Sequence, residues 1–320
     1  MTDHIVLNQL TKMFGHLCAV DCITLRVKRG EVLGFIGPNG AGKSTTMKMA
    51  TGFLIPDSGS VEICGASMIK DEKKAKRFIG YLPEGAPAYG DMTPFTFLRF
   101  ISDIRGYGSS ETLSRIDKAV DRAELGGVIH QRIETLSKGF KRRVGLAQAI
   151  LHEPPVLILD EPTDGLDPNQ KFHVRSLIKE ISSDTAIVIS THILEEVEAV
   201  CSRTVLIDRG QVVFDGTPGE LQARDRKHNA MVVRVHTNHA AEIKSLLEAL
   251  GSVKQVEENT HVNGVVTLTA IAANTGAIAA DVAEAVAGAD LRVEEITINP
   301  GRLDEVFRDL TTSDTRSDNA

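Results

Sequence analysis

The sequence predicts an α/β fold, an open and mostly parallel sheet wrapped by helices, followed by a smaller α+β domain. Three observations carry this. A buried-strand pattern, Glu31-Val32-Leu33-Gly34-Phe35-Ile36, runs through a glycine-rich turn into a helix opening at Lys43. Two unbroken apolar runs, Val156–Leu159 and Ala186–Ser190, have the composition of strands covered on both faces. Beyond residue 230 the periodicity reads strand, helix, two strands, helix, strand, the order of a split βαβ sandwich.

Composition sets the outer bounds. A chain of 320 residues with 42% hydrophobic content buries a full core, in one large domain or two. The net charge of −7 gives no support to a nucleic-acid-binding surface, so no nucleic-acid partner is expected. No apolar run approaches the length of a membrane span, and the N-terminus lacks a signal-peptide pattern. The expectation is a cytoplasmic protein. Cys18, Cys22, Cys64 and Cys201 stand among apolar residues without metal-like pairing and read as small, reduced core residues.

Residues 5 to 36 hold short alternating segments, among them Ile5-Val6-Leu7 and Ile23-Thr24-Leu25-Arg26-Val27, read as an antiparallel edge leading into the strand at 31–36. Phe14 lies in this region, where it either packs in the core or stacks on an aromatic base. The turn that follows is Gly37-Pro38-Asn39-Gly40-Ala41-Gly42-Lys43-Ser44-Thr45. Its pattern of Gly, four residues, Gly-Lys-Ser, between strand and helix, is that of a phosphate-binding loop. The glycines let successive N–H groups point inward at a phosphate, and the helix start adds unpaired N–H groups. Lys43 reaches β- and γ-phosphates in such a loop, and the Ser44 hydroxyl ligates Mg²⁺.

Pro56-Asp57-Ser58-Gly59 marks a turn before a strand at Ser60–Ile63, and a further strand, Phe78–Leu82, ends at Pro83-Glu84-Gly85. Thr93-Pro94 supplies an N-cap and a first-turn proline for a helix over Phe95–Ile104. Seven of the fourteen Phe and Tyr residues fall between Phe78 and Tyr107. Most are expected to pack as core, with Tyr89 and Met92 exposed towards a partner's apolar helix. Leu136-Ser137-Lys138-Gly139-Phe140 precedes an amphipathic helix over Lys141–Leu151, and Ser137 and Gly139 form a second potential phosphate site there. The two apolar strands end in Asp160-Glu161 and Thr191-His192. In an open parallel sheet the carboxyl ends of strands gather the ligand, so these residues face the same site.

With the motifs in this order, the first 220 or so residues resemble the ATP-binding subunit of an ABC transporter. Gly37–Thr45 matches its Walker A loop, Val156–Glu161 its Walker B strand, Leu136–Phe140 its signature, Gly165-Leu166-Asp167 its D-loop and His192 its switch histidine. Phe14 stands at the adenine-stacking aromatic, and Glu84 at the usual Q-loop glutamine. Tyr81-Leu82-Pro83-Glu84 is similar to gliding-motility-type and multidrug-type exporters. Lys138 and Phe140 depart from the usual Leu-Ser-Gly-Gly-Gln, and Glu84 trades an amide donor for charge.

The resemblance implies a P-loop NTPase with a RecA-like core and antiparallel β and helical subdomains. It also implies ATP and Mg²⁺ as ligands, with Ser44, Asp160 and Glu84 near the metal, Glu161 as general base and His192 on the γ-phosphate. Ser137 and Gly139 would face ATP held by a second copy, in a homodimeric sandwich that works with an integral membrane permease. Such a subunit is peripheral on the cytoplasmic face of the cell membrane. The other reading is a soluble ABC ATPase driving repair, translation or cluster assembly.

The expected domains are an ATP-binding domain over 1–222, a linker at 223–229, a ferredoxin-like accessory domain over 230–311 and a disordered tail at 312–320. Within the accessory domain, strands are expected at Met231–Val235 and Leu291–Ile298, helices at Ala240–Leu250, Ala277–Val286 and Leu303–Leu310, and a hairpin at Asn263-Gly264.

Overall fold

The computed structural model describes residues 3–312, except 263, 274–277, 290 and 292. The chain divides into two compact units, Met1–Pro218 and Gly219–Ala320.

In the first unit β1 (Asp3–Phe14) and β2 (Leu17–Lys28) make a long antiparallel hairpin, and β3 (Val32–Ile36) leads through the glycine loop into α1 (Lys43–Ala50). Next come β4 (Ser58–Ile63), β5 (Ala66–Ser67), α2 (Glu72–Arg77) and β6 (Ile79–Leu82). Three helices follow, α3 (Pro94–Arg105), α4 (Ser109–Arg122) and α5 (Lys138–Ile150). β7 (Val156–Asp160), α6 (Pro168–Ile181), β8 (Ala186–Thr191) and α7 (Leu194–Val200) then precede the hairpin of β9 (Arg203–Asp208) and β10 (Gln211–Gly216).

The hairpin β1–β2 lies in an antiparallel subdomain of the kind the resemblance implies, apart from the parallel sheet. It joins β4 and β5 in a separate antiparallel sheet, ordered β2-β1-β4-β5. The main sheet is β10-β9-β3-β8-β7-β6, parallel except for β10 at its edge.

Each central strand serves two cores. Leu33 and Phe35 of β3, Val156 and Ile158 of β7 and Val188 of β8 pack towards the antiparallel sheet and α1. Their alternates, Val32, Leu157, Leu159, Ile187 and Ile189, pack among α3, α4, α5 and α6. Side chains alternate across a strand, so burial on both faces is what makes these runs continuously apolar.

Local chemistry explains the ends. Thr93 caps α3 in a reciprocal box: its hydroxyl accepts from the Thr96 N–H at 3.2 Å, and the Thr96 hydroxyl accepts from the Thr93 N–H at 2.9 Å. The α5 helix begins at Lys138, three residues earlier than its periodicity suggested, because Ser137 is its N-cap and accepts from the Phe140 N–H at 3.3 Å. Two glycines let α5 lie against β6. A Cβ on Gly80 would sit 2.1 Å from the Ala149 carbonyl oxygen, and one on Gly145 would sit 2.7 Å from Leu82 Cδ1. Two further expectations fail: Cys22 is exposed, and Met92 is half-buried against the helical core, whereas Tyr89 is 54% exposed.

The second unit contains, after α8 (Pro218–Gln222), β11 (Met231–His236), α9 (Thr237–Glu248), β12 (Val253–Val262), β13 (Val265–Ala272), α10 (Ala279–Gly288), β14 (Val293–Ile298) and α11 (Leu303–Thr312). Its sheet runs β12-β13-β11-β14 with every neighbouring pair antiparallel. Val233, Val235, Ile243, Leu247, Leu268 and Val282 centre its core. Asn263 of the expected hairpin turn, Ala277 of the expected helix and residues 313–320 of the expected tail lie outside the described residues. The stretch 223–229 forms hydrogen-bonded turns within this unit. The Asn229 N–H donates to the Asn299 carbonyl at 2.9 Å, and the Asp225 carboxylate accepts from the Arg302 N–H at 2.7 Å.

Candidate active site

The glycine loop closes over the carboxyl end of β3. Gly42 has φ 103°, and a Cβ there would lie 2.3 Å from the Ala19 carbonyl oxygen, so only glycine allows this turn into α1. The Ala41 N–H donates back to the Pro38 carbonyl at 3.2 Å, which curls the loop. Beside it lies a cavity of about 370 Å³, lined by Phe14, Asn39, Gly40, Gly42, Lys43, Ser44, Thr45, Glu84 and Glu161, with Leu17 and Ala19. Gly37 and Ala41 are buried in the loop behind it. Lys43 bends onto its own loop, its Nζ donating to the carbonyls of Gly37 at 2.7 Å and Pro38 at 3.0 Å. Burial pulls its pKa down, and the charges of Glu161, Asp160 and Glu84 push it back up.

Phe14 is 50% exposed at the cavity mouth, which settles its open reading against a core role. Lys12 Nζ sits 5.9 Å from its ring centroid and is itself held by Asp57 at 2.9 Å. Leu17 and Ala19 complete an apolar rim that the sequence did not single out.

Opposite the loop, β7 and β8 end in acid and imidazole. Asp160 is 1% exposed, and neither carboxylate oxygen has a hydrogen bond of ordinary geometry within the described residues. Burial raises its pKa, Glu84 and Glu161 add to the rise, and the nearby hydroxyls of Ser190 and Ser44 oppose it. An orphaned buried carboxylate beside a serine hydroxyl is a hard oxygen donor set of the kind Mg²⁺ takes. Tyr81, behind the site, is pushed up to about 12 by burial and then by Asp160 and Glu84.

Glu161 has φ 50°, and its N–H donates to the Ser190 carbonyl at 2.8 Å. His192 Nδ1 lies 3.0 Å from both of its carboxylate oxygens, and the Thr191 hydroxyl donates to one of them at 3.4 Å. The pairing of Glu161 with His192 joins two strand ends that only the parallel register brings side by side.

Two further features were not read from the sequence. The Thr163 hydroxyl donates to the buried Glu196 of α7, tying the segment after Glu161 to the helix after His192, and burial raises the pKa of Glu196. The second is Arg142, whose guanidinium donates to main-chain carbonyls at the ends of β6 and β7. Its signal was present: Gly139, Arg142, Gly145 and Ala149 lie on one buried stripe of α5, and an arginine on such a stripe has polar partners inside. Ser137 and Gly139, at the tip of α5, do not line the cavity.

Comparison with known proteins agrees with this geometry. A family model described as ABC transporter matches residues 20–164. The chain is 38% identical over 223 residues to the probable multidrug ABC transporter ATP-binding protein YbhF of Escherichia coli. That match covers 68% of this chain but only 37% of the relative's length. An uncharacterized ABC transporter ATP-binding protein of Bacillus subtilis, YdbJ, is 32% identical over 306 residues, which covers 95% of this chain and 94% of the relative. A solved structure of an ATP-binding subunit of an ABC transporter superposes with a TM-score of 0.64 at 30% identity, covering 69% of this chain and 92% of that one. A phosphate loop and Glu161 line one cavity, with the buried Asp160 and the Glu161 partner His192 beside it, and one relative is matched over nearly its whole length; these lead to one conclusion: the chain belongs to the ATP-binding proteins of ABC transporters, an ATPase family.

Proposed function

We propose that the chain hydrolyses ATP to drive a separately encoded membrane exporter, as one half of an ATP-bound homodimer at the cytoplasmic face of the membrane. The observation that supports this most directly is the His192–Glu161 pair at 3.0 Å, set across the cavity from Lys43.

In this reading adenine stacks on Phe14, and the triphosphate enters the loop at Asn39–Thr45. Lys43 leaves the carbonyls of Gly37 and Pro38 for the β- and γ-phosphates, a charge-assisted contact that the neutral carbonyls cannot match. Ser44, Asp160 and Glu84 would hold Mg²⁺, which would supply charge neutralisation on the phosphate oxygens. Glu161 accepts the proton of the attacking water, and Thr191 and His192 fix the direction of its carboxylate. His192, on the exposed side of the pair, also reaches the γ-phosphate. The exposed Ser137 at the tip of α5 meets the nucleotide of a second copy, which gives a role to a residue outside the chain's own cavity.

Tyr89 and Phe100 are exposed beside the loop that carries Glu84 and pack edge-on with ring centroids 5.7 Å apart. They offer an aromatic ledge for a cytoplasmic helix of the permease. Purification of the full chain from its own cells in mild detergent is expected to bring down a multi-span membrane protein. Recovery with ribosomes, DNA-repair factors or cluster-assembly proteins, and with no membrane protein, overturns this reading in favour of a non-transport ATPase.

Glu84→Gln is expected to hold ATP affinity within about threefold, since the residue is exposed at the cavity edge and contributes one oxygen. Turnover or its stimulation by the permease should change, because the amide gains a donor and loses a charge next to Asp160 and Glu161. An unchanged rate both alone and with the partner would make Glu84 a passive replacement for glutamine.

A further inference from the structure

Arg142 is a buried cation that the scheme above leaves without a task. It is 5% exposed on the inward stripe of α5, and its guanidinium donates to three main-chain carbonyls: Pro83 at 3.3 Å, Asp160 at 3.3 Å, and Glu161. Two loops therefore meet on one planar group. One immediately precedes Glu84, and the other carries the acid and the base. The guanidinium sits on the same helix that presents Ser137 at its tip. Burial depresses its pKa while Asp164, Glu161, Asp160 and Glu84 support the charge, so the cation is retained in a desolvated place.

Glu161 needs such a hold. Its φ of 50° is left-handed, a conformation that costs a non-glycine residue on the order of 1–3 kcal/mol unless its surroundings impose it. Three hydrogen bonds on its main chain impose it here. On one side the Glu161 N–H is fixed to the Ser190 carbonyl, and on the other the Glu161 carbonyl accepts from the Asp164 N–H at 3.2 Å and from the Arg142 guanidinium, which alone of the three ties it to a helix. A quarter-turn of that peptide would swing the carboxylate away from His192.

We infer that Arg142 is a positioning residue for hydrolysis: its guanidinium keeps the Glu161 backbone in the left-handed state that aims the carboxylate, and binds that state to the Glu84 loop and the first turns of α5. It touches no nucleotide and acts through Glu161. A lysine cannot replace it, because an ammonium is a point donor on a flexible stem and lacks the fixed planar fork that spans three carbonyls.

The test uses the full chain carrying Arg142→Lys or Arg142→Gln, alone and in the Glu161→Gln background. In the otherwise unmodified chain, KM for ATP is expected to stay within about threefold while kcat falls by about tenfold to a hundredfold, the cost of a misplaced base at an intact binding site. In the Glu161→Gln background, Arg142→Lys is expected to change the residual rate by less than about threefold, since the group it positions is already gone. A kcat within twofold of the unmodified chain for either variant overturns the inference. The same fractional loss in both backgrounds also overturns it, because the arginine then acts on something other than Glu161. Failure of Arg142→Lys to fold, read as loss of a cooperative thermal transition, assigns the residue to the core and overturns it as well.

Discussion

Glu161→Gln is expected to lower ATP turnover by about two to four orders of magnitude, the range that a positioned general base contributes. The amide has the size of the carboxylate and keeps one acceptor, so the Thr191 and His192 contacts persist in part and the cavity keeps its shape. What disappears is the oxygen that takes the water's proton. ATP affinity should therefore remain near that of the unmodified chain while the γ-phosphate stays in place. Nucleotide that cannot leave holds the two copies together, so the variant should elute as a dimer in ATP and as a monomer without it. Light scattering on a sizing column reads both states. A monomer at saturating ATP would sink the two-copy arrangement, and near-normal turnover would sink the assignment of Glu161.

Lys43→Ala should act on binding instead. Two charge-assisted contacts to the phosphates are lost, each worth about 1.5–3 kcal/mol, and a loss of about 3 kcal/mol weakens ATP by roughly a hundredfold. Titration calorimetry with ATP and ADP reads this directly. The nucleotide-free thermal midpoint should move little, because among the described residues the ammonium bonds to its own loop carbonyls at Gly37 and Pro38 and is partly desolvated. ATP affinity within threefold of the unmodified chain would show that the phosphates bind elsewhere.

The parts of the site legible in the sequence are those in which one short segment carries both geometry and chemistry. Gly37–Thr45 announces its turn, its helix start and its cation together. Asp160 and Glu161 follow an apolar run that only a doubly covered strand explains. The segments that misled are those whose environment comes from far along the chain. Lys138 and Gly139 look like loop, yet Ser137 caps a helix through them. The charged run at 223–229 reads as a linker, yet it is pinned by Asn299 and Arg302 from the end of the chain. Arg142 stands in a run of three basic residues, Lys141-Arg142-Arg143, and only its helical spacing from Gly139, Gly145 and Ala149 separates the buried one from its neighbours. The antiparallel character of β1–β2 was legible in its alternation, but its pairing with β4 was not, because alternation reports which face is buried and not against what.

The two glycines between β6 and α5 have a mechanical consequence. Gly80 brings the strand backbone against the Ala149 carbonyl, and Gly145 brings the helix backbone against the Leu82 side chain, so few flexible groups lie in that seam to absorb sliding. A displacement of the turn at Pro83–Ala86 is therefore expected to carry strand and helix together, with Ser137 at the helix tip, and the stiffness of that seam comes from an absence of side chains.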